Sequence, residues 1–316
     1  MTQSTHNYKY LVFSGGGLKG ISYCGALKVL EEQQILGPGI KGYAGTSAGS
    51  IIAGLLAVGY TSAELSKIMT DLDTRNLFDD KYGYIRDAYN LVEHYGVAPG
   101  AYIDSFLGEL IEKKTGDADY TIEQLYAEKR IKLVIVGTDM NIKRSRYFHP
   151  KALVDSDKKI SIRKAIRISM SLPFVFEPVM HDSHLHVDGG VLDNFPIHVF
   201  DGKYPGDPKA KLNQLNPNHR VLGLQILTAN KLDDILDPDD SPDEITNIVD
   251  YGSSFISTFM IENNRRFATS YNEMRTIHII TEKFPLTNFD ISLADKNGLI
   301  AAGETACRKF FNKVTK

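Results

Sequence analysis

The sequence predicts an α/β fold in which helices cover both faces of a mainly parallel central sheet. β-forming segments alternate with helical segments along the chain, as they do in parallel sheets whose strands are joined by helices. Residues 131–136 and 221–227 are almost uniformly apolar, which is typical of strands buried on both faces. No segment has the composition of a linker, so residues 1–316 are predicted to form one domain with a sizeable core.

The first 60 residues predict two units of strand, turn and helix. Residues 8–13 are rich in β-forming side chains, and a glycine run separates them from a helical pattern over 18–36. A second strand is predicted at 40–44, and a helix that is apolar on all sides at 48–58. Only 51–58 of this uncharged region is strongly apolar, far short of the roughly 20 residues that a membrane span requires, so we expect a buried helix.

The later elements follow from the same periodicities. Thr61 and Glu64 have the spacing of a capping box that begins a helix. Residues 179–187 predict a hairpin with its turn near Asp182 and Ser183. Residues 71–100 mix aromatic and charged side chains and are expected to cover a site. Further helices are predicted at 102–114, 121–128, 161–170, 245–267 and about 295–313, and strands at 131–136, 144–148, 221–227 and 276–280.

The composition excludes some classes of partner. The chain has 36 Lys and Arg against 39 Asp and Glu, a formal net charge of −3, so nucleic acid is not expected to bind. Its two cysteines, Cys24 and Cys307, cannot form a disulfide framework and favour a reducing compartment. The polar N-terminus lacks the apolar core of a signal peptide. We therefore expect a cytoplasmic protein with at most peripheral membrane contact.

Residues 45–49 match the G-x-S-x-G pattern of a nucleophile elbow, with Ser47 at its centre. An elbow requires a strand, a tight turn and a helix in this order, and the predicted elements at 40–44 and 48–58 supply them. The flanking glycines allow the backbone to turn without Cβ clashes. This context predicts Ser47 as a nucleophile; the alternative is a turn that only lets a helix pack closely on the sheet.

The glycine run Gly15-Gly16-Gly17-Leu18-Lys19-Gly20 is ambiguous by itself. It fits the dinucleotide fingerprint, but the acidic residue expected after the second strand is missing. A P-loop is excluded because no Gly-Lys-Ser/Thr follows. What the readings share is a set of backbone N–H groups at a helix N-terminus, which stabilise an anion such as the oxyanion of acyl transfer. A glycine turn without ligand and a non-catalytic nucleotide- or lipid-binding module remain alternatives.

A serine nucleophile needs a general base, and two kinds of candidate exist. Asp188 precedes Gly189 and Gly190; a free Asp with a pKa of about 3.9 is a poor base, but burial would raise its pKa. A Ser–Asp–His triad would instead need a late histidine. His278 is the only one available, and it lies in a strand-like run where a core or edge role is expected.

His184, His186 and Asp188 alternate along a predicted strand and so share one face. Such a string resembles the ligands of a metal-dependent hydrolase. The other histidines show no paired spacing, and a metal site would leave both glycine motifs unexplained. The metal reading is therefore kept as an alternative, beside that of a partly solvated hairpin.

Taken together, the motifs resemble the patatin-like phospholipases. The resemblance rests on G-G-G-x-K-G at 15–20, G-T-S-A-G at 45–49 and D-G-G at 188–190, and it covers about residues 8–200 in order. A proline-containing segment at 169–178 and Asn194 with Pro196 agree with it. The resemblance implies a three-layer α/β/α fold and a Ser–Asp dyad without a catalytic histidine, a metal or another cofactor.

The same resemblance assigns roles to individual residues. Ser47 would be the nucleophile and Asp188 the base. Lys19 could strengthen the anion site or contact an anionic group of the substrate, and a solvated salt bridge is the alternative role for it. The amides of the oxyanion hole would be those of Gly15, Gly16 and Gly17, with that of Ala48 added from elbow geometry. The substrates implied are phospholipids, lysophospholipids or other acyl esters, as for a phospholipase A-type hydrolase, with transient contact to membrane surfaces. Residues 71–100 and 254–261 are expected to contribute to an acyl pocket, although core packing would equally explain the latter.

Overall fold

The computed structural model describes residues 7–78, 93–201, 217–228, 245–246, 248–267, 270–281 and 290–314. It is an α/β structure with a mainly parallel central sheet, which confirms the predicted fold class. The strands are β1 (Tyr10–Phe13), β2 (Gly42–Thr46), β3 (Gly96–Ala98), β4 (Lys132–Asp139), β5 (Arg144–Phe148), β6 (Phe174–Phe176), β7 (Val179–His181), β8 (His184–Asp188), β9 (Val221–Thr228) and β10 (Thr276–Thr281).

Eight of the described strands form the central sheet in the order β10-β9-β1-β2-β4-β8-β7, with β5 also paired to β4. The five strands from β10 to β4 are parallel, whereas β5 and β8 pair with β4 in the antiparallel sense and β7 pairs antiparallel with β8. The predicted hairpin is β7–β8, with Asp182 and Ser183 at positive φ, as a tight two-residue turn requires. β3 and β6 pair separately and were not predicted.

The helices are α1 (Tyr23–Glu32), α2 (Ala48–Val58), α3 (Ser62–Asp71), α4 (Ala101–Thr115), α5 (Ile122–Lys129), α6 (Asp155–Lys158), α7 (Ile162–Ser169), α8 (Gly190–Asp193), α9 (Ile248–Phe267), α10 (Ser270–Met274) and α11 (Leu293–Val314). Three 3-10 helices are also described, at Gly17–Ser22, Thr74–Phe78 and Ile197–Phe200. The predicted capping box at Thr61 and Glu64 is present at the start of α3. None of the described helices combines the length and apolarity needed to cross a bilayer.

The alternation of side chains along the strands divides the core into two clusters. Leu11 and Phe13 of β1 face a large cluster built with α1, α2, α7 and α11, and α2 is buried on nearly every side, as its sequence predicts. Val12, between them, faces the opposite side, where it packs in a smaller cluster with Phe195 and Ile197. The sheet is therefore buried on both faces, as its uniformly apolar strands require.

The C-terminal third completes this core. β9 pairs with β1, and β10 then forms the edge of the sheet. α11 crosses α1 at two glycines: a Cβ on Gly25 would lie 1.9 Å from the carbonyl oxygen of Ile300, and a Cβ on Gly303 would lie 1.9 Å from that of Ser22. The two helix backbones are thus in direct contact.

Candidate active site

Two strands end at neighbouring positions on one edge of β4. β5 occupies the other edge, so β2 and β8 share this one. Thr46, the last residue of β2, lies opposite Val136. Asp188, the last residue of β8, lies opposite Gly137. Because β2 is parallel to β4 and β8 is antiparallel, the two strands run towards each other, and Ser47 meets Asp188. We call this point the Ser47–Asp188 junction.

Ser47 has a strained backbone at the tip of the turn between β2 and α2. Its φ of 51° and ψ of −128° lie where residues with a Cβ are rare, at a cost of roughly 1–3 kcal/mol. The Ser47 N–H donates to Oγ of Ser169 at 2.9 Å, and the Ser47 carbonyl accepts the N–H of Ser50 at 2.8 Å. The surrounding hydrogen bonds thus stabilise the turn that presents the serine side chain.

The two glycines of the elbow are required by close backbone approaches. A Cβ on Gly45 would lie 2.2 Å from the carbonyl oxygen of Gly49. A Cβ on Gly49 would lie 2.5 Å from the carbonyl oxygens of Phe13 and Ser14 at the end of β1. The G-x-S-x-G pattern therefore reflects the packing of β1 against the first turn of α2, as an elbow demands.

The Asp188 carboxylate is almost completely enclosed, with an exposed fraction of 1%. Its Oδ1 accepts the N–H of Gly190 at 2.7 Å, and the Ser47 side chain lies beside the carboxylate. Burial raises the pKa of Asp188 to about 7, although the neighbouring Ser47 hydroxyl and the Gly190 N–H oppose the rise. A carboxyl with this pKa can accept a proton near neutral pH far better than a free aspartate can.

The glycine loop after β1 supplies backbone N–H groups beside the junction. The Gly15 N–H donates to the carbonyl oxygen of Asn194 at 2.9 Å, so this predicted oxyanion donor is already occupied. Within the described residues the N–H groups of Gly16 and Gly17 have no acceptor. The N–H of Ala48 belongs to the first turn of α2 and has no partner in the helical ladder. The roles of Gly16, Gly17 and Ala48 stay predictions.

An apolar cavity of about 100 Å³ opens at the junction, and Gly17, Ser47, Ala48 and Asp188 line it. Both segments expected to build an acyl pocket contribute to its wall, since Leu72 and Leu77 come from 71–100 and Met260 from 254–261; residues 79–92 lie outside the described part. The other apolar lining side chains include Ile51, Ile52, Ile103, Leu172 and Phe176. Lys19, partly buried in the 3-10 helix, is not among the described residues that line the cavity.

The histidines named by the alternative readings lie away from this chemistry. Nδ1 of His184 is 2.7 Å from Oδ2 of Asp139, and Nε2 of His186 is 3.6 Å from the same atom, whereas Asp188 faces Ser47. Across the described ranges no group of three or more His, Cys, Asp and Glu side chains could hold a metal ion. The reading of His184, His186 and Asp188 as metal ligands is therefore not supported. His278 lies on the edge strand β10 and pairs with Glu273 at 2.6 Å, as expected for an edge histidine.

Several residues that hold the junction in place were missed as site residues. Ser169 accepts the Ser47 amide, and the Thr138 hydroxyl donates to the Asp188 carbonyl oxygen at 3.0 Å. The Ser171 carbonyl accepts the Asp188 N–H at 2.9 Å, and the buried Arg167 donates to the Ser171 hydroxyl at 2.5 Å. The proline-containing segment at 169–178 pointed to this region but to none of these contacts. Ser169, Thr138 and Ser171 contact the backbone of Ser47 and Asp188, and no sequence pattern describes such contacts.

Comparisons with known proteins agree with this site. The family described as patatin-like phospholipase matches residues 11–201, which include both glycine motifs and Asp188. The chain belongs to this family.

Individual relatives come from distant sources. Protein R571 of Acanthamoeba polyphaga mimivirus is 37% identical over 198 residues, which are 63% of this chain and 63% of R571. The probable lipid hydrolase 463L of Invertebrate iridescent virus 6 is 27% identical over 61% of this chain and 63% of its own length. The chain thus spans less than two thirds of either viral relative.

Solved structures share the fold. VipD from Legionella pneumophila aligns with 97% of this chain and 67% of its own, at a TM-score of 0.59 and 17% identity. At that identity the similarity concerns the fold alone.

Proposed function

We propose that the protein hydrolyses carboxylic ester bonds of phospholipids or lysophospholipids through a Ser–Asp dyad. The proposal rests on the proximity of the Ser47 side chain to the buried Asp188 carboxylate, since both line the same apolar cavity. Family membership and the relative named as a probable lipid hydrolase support lipid acyl hydrolase activity. Phospholipase A-type specificity is part of the proposal, since the apolar lining of the cavity suits an acyl chain.

In the first half-reaction the Ser47 Oγ attacks the ester carbonyl carbon while Asp188 accepts the hydroxyl proton. The negative charge on the carbonyl oxygen is stabilised by the N–H groups of Gly16, Gly17 and Ala48, each worth about 2.7–4 kcal/mol if typical of an oxyanion hole. Collapse of the tetrahedral intermediate breaks the bond to the alcohol oxygen, which takes the proton from Asp188. The acyl group remains on Ser47.

The second half-reaction repeats this chemistry with water as the nucleophile. Asp188 removes a proton from the water as the oxygen attacks the acyl carbon, and the same amides stabilise the second oxyanion. The bond to Oγ then breaks, and Ser47 recovers its proton from Asp188. No step requires a histidine.

A fluorophosphonate probe tests the nucleophile directly, because it forms a covalent bond only with an activated serine. We expect labelling at Ser47, none in Ser47→Ala, and a fall of kcat/KM on a soluble ester by about 10³-fold or more in that variant. A folded wild-type protein that is not labelled would indicate a non-catalytic nucleotide- or lipid-binding module.

Asp188→Asn tests the base, and Asp139→Asn is the matched control. Both variants neutralise a buried carboxylate near an end of β4, but Asp139 contacts His184 and lies outside the cavity. We expect Asp188→Asn to lower kcat by about 10²–10⁴-fold and Asp139→Asn to leave it within a few fold. Near-normal turnover by Asp188→Asn would contradict the dyad and point to a histidine base.

A further inference from the structure

Helix α9 carries a row of large apolar side chains that are about half exposed: Ile248 (56%), Tyr251 (58%), Phe255 (51%) and Phe259 (48%). Their spacing of three and four residues places them on one side of the helix. The rings of Phe255 and Phe259 contact each other at a centroid distance of 4.9 Å. No other described helix carries so many exposed large apolar side chains. We call this row the α9 stripe.

The adjacent row of the same helix faces the Ser47–Asp188 junction. A Cβ on Gly252 would lie 2.4 Å from the Phe174 ring, and Ile256 is buried. Met260 lines the catalytic cavity, and its Cε would lie 2.6 Å from a Cβ on Gly190. One row of α9 residues therefore packs beside the site, and the side chains of the neighbouring row are exposed to solvent.

We infer that the α9 stripe is the surface by which the protein docks onto a lipid bilayer. The inference rests on the proposed function, since a lipid-ester substrate has to leave a bilayer to reach Ser47. Phe259 and Met260 are consecutive, so the stripe ends where the cavity wall begins. Docking through the stripe would therefore place the cavity next to the acyl chains of the membrane.

The charge of this segment selects the apolar part of the bilayer as the partner. Between Thr246 and Met260 the sequence contains one charged side chain, Asp250, and no Lys or Arg. Attraction to anionic lipids needs clustered basic residues; the stripe has none, and the nearest basic residues of α9 in the sequence are Arg265 and Arg266, beyond its last member. Aromatic side chains with aliphatic neighbours are instead typical of segments that lie in the membrane interface. Docking is therefore expected on zwitterionic lipid and at high salt.

The size of the stripe fits a membrane better than a stable protein partner. Half-exposed side chains of this kind offer about 100 Å² each, so the four provide on the order of 400 Å². A stable protein interface buries about 800 Å² per partner. Insertion of a few side chains into a bilayer has no such minimum and gives weak, reversible binding.

Tryptophan fluorescence provides a direct test, because the chain contains no tryptophan. Phe259→Trp in a Ser47→Ala background places one fluorophore in the stripe and leaves the vesicles intact. Phosphatidylcholine vesicles should shift its emission to shorter wavelength, and acyl-brominated lipid should quench it. Leu153→Trp, at a site 76% exposed and outside α9, is the control and should show neither effect. An emission of Phe259→Trp that vesicles leave unchanged would overturn the inference.

Vesicle flotation tests the contribution of the stripe to binding. In the Ser47→Ala background, Phe255→Ser combined with Phe259→Ser should reduce the vesicle-bound fraction at least tenfold, whereas Leu153→Ser should not. Salt at 1 M should not release the protein with intact stripe. These measurements need no hydrolysis, so an inactive wild-type protein would refute the dyad while leaving the docking result to stand by itself.

Three outcomes of the flotation experiment count against the inference. The first is equal binding by the double variant. The second is binding that requires anionic lipid and is lost at 1 M salt, which would assign docking to basic residues elsewhere. The third is that the double substitution dissociates an oligomer of the lipid-free protein in sedimentation, which would assign the stripe to a second copy of this chain.

Discussion

Asp188 is buried beside the Ser47 hydroxyl and the Gly190 amide, and burial and these two neighbours act on its pKa in opposite directions. Burial disfavours the carboxylate, whereas the Ser47 hydroxyl and the Gly190 amide favour it. Burial has the larger effect, and it raises the pKa of Asp188 to about 7. The group is therefore partly protonated near neutral pH, which matters for a base that must begin each cycle without a proton.

This pKa predicts the acid limb of the pH profile. If Asp188 is the base, kcat/KM for a soluble ester should fall about tenfold per pH unit below pH 7 and level off above it. The measurement is kcat/KM between pH 5 and 9 with esters of different leaving groups, whose profiles should share the same limb. If kcat/KM instead fell only below about pH 4, the pKa of an ordinary aspartate, the result would contradict a pKa of Asp188 raised by burial.

Protein stability provides an independent control on the same group. The folded-state pKa lies above the unfolded value of about 3.9, so the folded state holds the proton more tightly. The contribution of this proton is fully present below pH 4 and is lost as the pH rises through about 7. Asp188→Asn, which cannot ionise, should therefore gain stability relative to the wild type between pH 4 and 8 in urea unfolding.

At this scale the sequence pointed to Ser47 and Asp188 as partners but did not show that one amide of the glycine loop is already taken. The motifs identify Ser47 and Asp188 because the glycines that flank the serine and those that follow the aspartate are neighbours of these residues in the sequence. The Gly15 N–H is occupied by the Asn194 carbonyl, a residue distant in the chain, and no local pattern contains that contact. The sequence motif includes Asn194, but only the folded chain brings its carbonyl oxygen to the Gly15 N–H.

Among the elements, the crossing of α1 and α11 depends on backbone contact at Gly25 and Gly303. A side chain at either glycine could be accommodated only if the backbones moved apart, because the nearest atoms would be backbone carbonyl oxygens, those of Ile300 and Ser22. Gly298, also in α11, would place a Cβ in open space, with no atom within 4 Å of it, and so differs only in its surroundings.

These two glycines of α11 predict opposite effects of the same substitution. Gly303→Ala should lower the free energy of unfolding by about 1–3 kcal/mol, since its Cβ would lie 1.9 Å from the Ser22 carbonyl oxygen. Gly298→Ala should raise it by about 0.5–1 kcal/mol, the usual gain in a helix interior. Urea unfolding measures both, and equal effects would show that the two helices can separate at the crossing.

Elements were predictable where the signal is local. The capping box at Thr61, the hairpin turn at Asp182 and Ser183, and the apolar helix α2 are each determined by neighbouring residues. The pairing of β3 with β6 was not predictable, because two three-residue strands have too little periodicity and their contact is non-local. The predicted helix at 18–36 instead begins as a 3-10 helix at Gly17, directly after the glycine loop.

At the scale of the whole molecule, the family match ends at residue 201, but the contacts that surround β1 continue beyond it. β9 lies between β1 and β10, so its loss would expose the edge of β1 and the buried faces beside it. The buried Arg275 pairs with Asp201, and α11 covers α1. That residues 1–316 form one domain stays a prediction, which these contacts make testable.

A chain ending at residue 201 should therefore fail to fold. We expect the fragment to lack a cooperative urea transition by circular dichroism, whereas residues 1–316 should unfold in one transition. A fragment that unfolds cooperatively and reacts with a fluorophosphonate probe at Ser47 would show that residues 11–201 form an independent domain.

The shared edge of β4 has a consequence for how such proteins can vary. The pairing of Thr46 with Val136 and of Asp188 with Gly137 brings the ends of β2 and β8 together on one edge of β4. Loops between Ser47 and Asp188 that contact neither β4 nor residues 167–171 can therefore lengthen or shorten without altering the junction. The walls of the cavity, and with them the substrates that fit it, can vary while these two backbone pairings stay the same.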